Sequence, residues 1–121
     1  MTCSPSPNQR LLVPTFQTLE LVDVNDIITI KAFENYSRLF LTQKRTYTST
    51  QAFGKFVEML SNRNFYQCHK SHVINLDHIV RYHKNGEIEM AEGMKIPVAR
   101  RRKEEFLENL MAQLSLPQKI S

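Results

Sequence analysis

The chain has 121 residues, an apolar share of 41% and a formal net charge of +4, which allows one domain with one adequate core and excludes wholesale disorder. No apolar run approaches the roughly 20 residues that cross a bilayer. Thr2-Cys3-Ser4-Pro5 lacks the basic and apolar regions of a secretory leader, and Cys3 and Cys68 make no disulfide framework, so a reducing, cytoplasmic setting is expected.

Residues 1–15, with three prolines and little pattern, read as a flexible tail or interdomain linker. An ordered domain is expected over 16–114, with a second short tail at 115–121. Leu19-Glu20-Leu21-Val22 predicts a short strand, and Asp23-Val24-Asn25-Asp26 a turn made by Asx side chains. Ile27–Phe33 predicts a strand apolar on both alternating sets. Glu34-Asn35 breaks it, Tyr36–Thr42 makes the next strand, Gln43-Lys44 turns, and Arg45–Ser49 returns, so a meander of antiparallel hairpins is expected. A helix opens near Gln51, with Ala52, Phe53, Phe56, Val57 and Leu60 on one face.

Phe65–His69 predicts a strand with Phe65, Gln67 and His69 opposite Tyr66 and Cys68. Val73-Ile74-Asn75 is extended, Leu76-Asp77-His78 turns, and Ile79–His83 is a strand. Lys84-Asn85-Gly86-Glu87 carries the strongest hairpin signal, since Asn-Gly accepts positive φ at both turn centres. Ile88-Glu89-Met90 follows, then a turn at Glu92-Gly93. Lys95–Val98 is the last strand, placed at a sheet edge because Pro97 has no N–H to donate. A closing helix is expected over Arg101–Leu114, its apolar stripe formed by Phe106, Leu107, Leu110, Met111 and Leu114.

The charge is modest in total but dense in one place. Residues 1–60 hold six Lys/Arg against five Asp/Glu, residues 61–121 ten against seven, and Arg100-Arg101-Arg102-Lys103 are consecutive. Four cations at the start of a helix stand where the macrodipole is already positive, so they suit a compensating anion such as phosphate. The segment His69-Lys70-Ser71-His72-Val73-Ile74-Asn75-Leu76 adds donors to the same half.

Enzymatic readings find little support. The spacing of His69, His72, His78 and His83 invites a metal reading, but His69 and His72 are expected on opposite faces of an extended run and no His-Glu-x-x-His or Cys-x-x-Cys pair exists. No Gly-x-Ser-x-Gly elbow and no clustered phosphate loop occur. Catalytic residues, metal ligands and cofactors are therefore not expected.

Three segments carry a family resemblance. They are Val24-Asn25-Asp26-Ile27-Ile28-Thr29-Ile30-Lys31-Ala32 with Asn35-Tyr36, the run from Phe65 to Ile79 centred on His69-Lys70-Ser71-His72, and Gly93-Met94-Lys95-Ile96-Pro97-Val98-Ala99-Arg100-Arg101-Arg102. In order and spacing the chain resembles a LytTR-type DNA-binding domain, the output module of many bacterial two-component response regulators. The resemblance implies a mainly β, elongated fold of about ten short strands in layered antiparallel sheets with two short helices. It also implies that loops read successive major grooves of double-stranded DNA at paired direct repeats. An upstream receiver domain and a cognate histidine kinase would be partners in the parent protein, and the isolated domain would be monomeric. Base contacts map onto Tyr36, Lys70 and Arg101. Ser37, Arg38, His69, Ser71, Asn75, Arg100, Arg102 and Lys103 map onto backbone or supporting contacts. Lys70 stands where arginine is frequent, Ala99 where serine is common, and Glu34 where a small residue is usual. The alternative reading is a non-catalytic protein-interaction or sensory β-domain whose basic edge is only solvated.

Overall fold

The computed structural model describes residues 10–61 and 63–114. Among them run β1 (Arg10–Pro14), β2 (Leu19–Asp23), β3 (Ile27–Phe33), β4 (Tyr36–Leu41), β5 (Thr46–Ser49), α1 (Phe53–Met59), β6 (Phe65–His69), β7 (His72–Asn75), β8 (Ile79–His83), β9 (Glu87–Met90), β10 (Lys95–Pro97) and α2 (Lys103–Leu114). The strands form three antiparallel sheets, ordered β1-β2, β5-β4-β3-β7-β6 and β10-β9-β8. The fold is mainly β, layered and antiparallel, with two helices.

The five-stranded sheet is buried on both faces, which explains the apolar residues on both sets of β3. One core joins Leu11 and Val13 of β1, Val22 of β2, Ile27 and Ile30 of β3, Leu39 of β4, and Phe56 of α1 with Leu60 just after it. The other joins Ile28 of β3, Cys68 of β6, Ile74 of β7, Ile88 and Met90 of β9, Ile96 of β10 and Phe106 of α2. Ile27 and Ile28 serve opposite cores by ordinary strand alternation, and a bulge between Ile27 and Thr29 shifts that alternation so that Ile30 joins the core of Ile27 and not that of Ile28. Full burial of Phe56 or Phe106 stabilises by about 1.5–3 kcal/mol each.

The element order repeats. A hairpin (β1-β2, then β6-β7) is followed by a 3₁₀ turn, a strand pair, a second 3₁₀ turn, a last strand and a helix. The local geometry repeats with it. Asp23 accepts from the Asn25 N–H at 2.9 Å, and Asn75 from the Asp77 N–H at 2.9 Å. Gln43 (φ 63, ψ 28) and Glu92 (φ 63, ψ 26) hold the same left-handed position in the second 3₁₀ turns. The sequence echo is short: Asp23-Val24-Asn25-Asp26-Ile27 against Asn75-Leu76-Asp77-His78-Ile79.

Three expectations are corrected. The linker reading of residues 1–15 runs too far, because Arg10–Pro14 is a strand paired to β2 with Leu11 and Val13 buried. The alternation Leu11, Val13 is the signal that the prolines obscured. At Asn85-Gly86 only Gly86 has positive φ (98°), and the Gly86 N–H donates to the His83 carbonyl at 2.9 Å. The loop is thus a three-residue turn with glycine at its left-handed position, not a two-residue turn with positive φ at both centres. Met111 is 62% exposed, so it stands outside the buried stripe of α2. Pro97 does lie on an edge strand, β10. The expected tail at 115–121 lies outside the described residues.

Candidate nucleic-acid interface

The repeat sends the tips of its hairpins to one end of the molecule. The β6-β7 turn, Lys70-Ser71, docks on the end of β3 through the Ala32 N–H, which donates to the Ser71 carbonyl at 2.9 Å. The β10-α2 junction docks on the end of β6, where the Ala99 N–H donates to the Cys68 carbonyl at 2.9 Å. Arg102 locks this junction by donating to the Gln67 carbonyl at 2.5 Å. The β3-β4 turn, Glu34-Asn35, stands beside them, with Tyr36 opening β4 opposite Phe33. Tyr36, Lys70 and Arg101 are all exposed at this end.

Cations and aromatics interleave on the same end. Lys31 and Arg38 are cross-strand partners, and both lie over the Phe33 ring, 5.1 and 5.2 Å from its centroid. Tyr36 meets Phe16 of the β1-β2 turn edge to face at 5.4 Å. Arg100 and Arg101 are exposed in the 3₁₀ turn Arg100–Arg102, which leads into α2. The Lys31–Phe33 platform was not marked in the sequence. Lys31 and Phe33 share a face of β3 by strand alternation, and the register between β3 and β4 adds Arg38 to it.

The opposite end carries the four 3₁₀ turns that join strands, and there carboxylates hold the layers together. Glu92 accepts from the Gln43 and Lys44 N–H groups at 2.6 and 3.0 Å, joining two sheets. Asp26 pairs with Arg45 at 3.2 Å.

Several residues assigned from sequence are placed as supports. Ser37 is fully buried and donates to the Gln51 carbonyl at 2.8 Å, so it fixes the start of β4 and does not reach a ligand. Asn75 is buried and sits at the end of β7 away from the Lys70 turn. Its Nδ2 donates to the Ile27 carbonyl at 2.9 Å while its Oδ1 caps the 3₁₀ turn Leu76–His78. Arg102, half-buried on the Gln67 carbonyl, is a brace within the junction. Arg38 and Arg100 and, partly, His69, Ser71 and Lys103 keep solvent access.

His69 and His72 do not point apart. The chain reverses between them, making them cross-strand partners with rings 5.4 Å apart. The Ser71 N–H donates to His69 Nδ1 at 3.3 Å, so neutral His69 carries its proton on Nε2. The Ser71 hydroxyl bridges the two rings, 3.1 Å from His69 Nδ1 and 3.2 Å from His72 Nδ1. Burial first, then the charges of His69 and Lys31, lower the His72 pKa to about 4, so this ring is neutral at pH 7. Among the described residues no group of three or more potential metal ligands occurs. Burial likewise raises the Cys68 thiol to about 12, leaving it an unreactive core group.

A layered β-domain whose hairpin tips gather cations, donors and aromatics on one end has the features of the nucleic-acid-binding class. The chain is a member of the LytTr DNA-binding domain family, whose profile matches residues 17–111. It is a domain of DNA binding and transcription regulation, and the family is not a catalytic one. A similar solved structure is the LytTr DNA-binding domain of a putative methyl-accepting/DNA response regulator from Bacillus cereus, with a TM-score of 0.71 at 20% identity, covering 84% of this chain and 96% of that one. No curated protein sequence matches the chain.

Proposed function

We propose that the hairpin-tip end reads double-stranded DNA by inserting loops into successive major grooves, with Tyr36, Lys70 and Arg101 at base edges. The observation that carries this reading is the convergence of those three exposed side chains, from three separate loops, on one end. Arg38, Arg100 and Lys103 meet phosphates, His69 and Ser71 shape the Lys70 turn and reach the backbone beside it, and Ser37, Asn75 and Arg102 hold the loops in position. The domain works in the cytoplasm as the output module of a two-component response regulator. A receiver domain upstream and its histidine kinase control it, and two copies occupy paired direct repeats on one face of the duplex. The receiver's pairing would raise the effective concentration of the second copy.

Selection of bound duplexes from a random library, followed by sequencing, tests the reading. A recurring motif repeated at about one helical turn supports it, and an unenriched pool overturns it.

A further inference from the structure

Beside the three reading loops lies an open groove of about 470 Å³, bounded by the β8-β9 turn and the start of α2. His69, Asn85, Gly86, Glu87, Arg100 and Lys103 are among its lining. Exposed Lys84 precedes Asn85 in the same turn. We propose that this groove takes a phosphodiester of the DNA backbone, a fourth anchoring point built by the Lys84-Asn85-Gly86 turn. This rests on the DNA-binding reading: it gives Arg100 and Lys103 of that reading a shared phosphate and adds the Lys84-Asn85-Gly86 turn, which that reading does not use.

Three observations carry it. The first is the repeat, in which the β8-β9 turn is the counterpart of the β3-β4 turn that presents Tyr36, so the fold sends both to the same end. The second is the way the groove is built. The Val98 N–H donates to the Gly86 carbonyl at 2.9 Å, and the Lys103 stem lies against Gly86 where any Cβ would collide with it. The Lys103 amine is thereby held at the groove, where it donates to the Asn85 carbonyl at 3.5 Å. The third is charge. Among the described residues no carboxylate pairs with Lys84, Arg100 or Lys103. Arg100 and Lys103 also stand at the positive end of α2, so an anion there is stabilised by side chains and backbone together. Asn85 spends its Oδ1 on the Glu87 N–H at 3.2 Å, which leaves its amide nitrogen as a donor. Glu87 is the opposing charge in the lining, and it gives the proposal a test by gain as well as by loss.

The test is duplex binding by fluorescence anisotropy across a salt series, with a selected duplex and a scrambled one, for the wild type, Lys84→Ala, Lys103→Met and Glu87→Gln. Lys103→Met keeps the stem on Gly86 and removes the charge. Each lysine variant should weaken both duplexes alike, by about three- to tenfold, and lower the salt slope by about one. Glu87→Gln should strengthen both by about two- to fivefold at low salt. Wild-type affinity and slope in all three variants would overturn the groove, and with it the Lys103 phosphate contact, while leaving base reading by Tyr36, Lys70 and Arg101 intact. A wild type that binds no duplex would overturn that reading itself. Titration with inorganic phosphate separates the sources: amide shifts at Gly86 and Ala99 at low phosphate would mark a free-anion site and contradict a DNA phosphate as the occupant.

Discussion

At the scale of single residues, exposure separates recognition from support. Arg101 is exposed on a junction that Arg102 holds to β6. Arg101→Ala should therefore relax preference for the selected duplex by about 1–3 kcal/mol with little change in thermal stability. Arg102→Ala should weaken binding through disorder of the junction, and its loss should extend to all duplexes. Asn75 behaves oppositely. Asn75→Ala removes one buried and one partly buried hydrogen bond and takes the Asn75 donor from the Ile27 carbonyl, a cost of about 1–3 kcal/mol. Chemical denaturation should show that loss, and the ratio of selected to scrambled affinity in the folded fraction should not move. Sequence placed Asn75 and Ser37 among the backbone or supporting contacts without separating the two roles, because motif position carries no depth. Burial decides their role, and it depends on β3 and on the β5-α1 segment, far away in the chain.

At the scale of elements, the β6-β7 hairpin carries a pH dependence. His72 titrates near 6.5 when unfolded, and its folded pKa is lowered to about 4 by burial and by His69 and Lys31. Below about pH 6.5 the unfolded chain binds a proton that the folded chain refuses. Stability is thus complete above that value and is lost as pH falls toward 4. The loss attributable to this ring should reach about 3 kcal/mol, and His72→Phe should flatten the profile in that window while carboxylate titration continues below it. Equal pH profiles for the two proteins in urea unfolding would show that His72 is not the source. Most elements were legible because hairpin punctuation is local: Glu34-Asn35, Gln43-Lys44, Asn85-Gly86 and Glu92-Gly93 all turn where expected. The error over His69 and His72 has the same origin. Spacing of three residues means opposite faces along one strand, but cross-strand neighbours when the chain turns between them.

At the scale of the whole molecule, the two cores on either face of the central sheet make one rigid support for loops that come from both halves of the repeat. The repeat itself was hidden, since only the Asx-capped 3₁₀ turns share a sequence pattern while the strands between them do not. The convergence of Tyr36, Lys70 and Arg101 came from resemblance, not from spacing, and only the pairing of β3 with β7 and of Ala99 with Cys68 explains it physically. The free domain should be monomeric, because no heptad seam and no long apolar helix is present among the described residues. Light scattering at tens of micromolar checks this, and a stable dimer without DNA would contradict it. The most direct test of the central claim is competition between the selected and the scrambled duplex for the wild-type chain as salt is raised. The account predicts a steep loss of affinity for both and a preference for the selected duplex that survives the salt. Binding that ignores salt, or that never distinguishes the two duplexes, would contradict it.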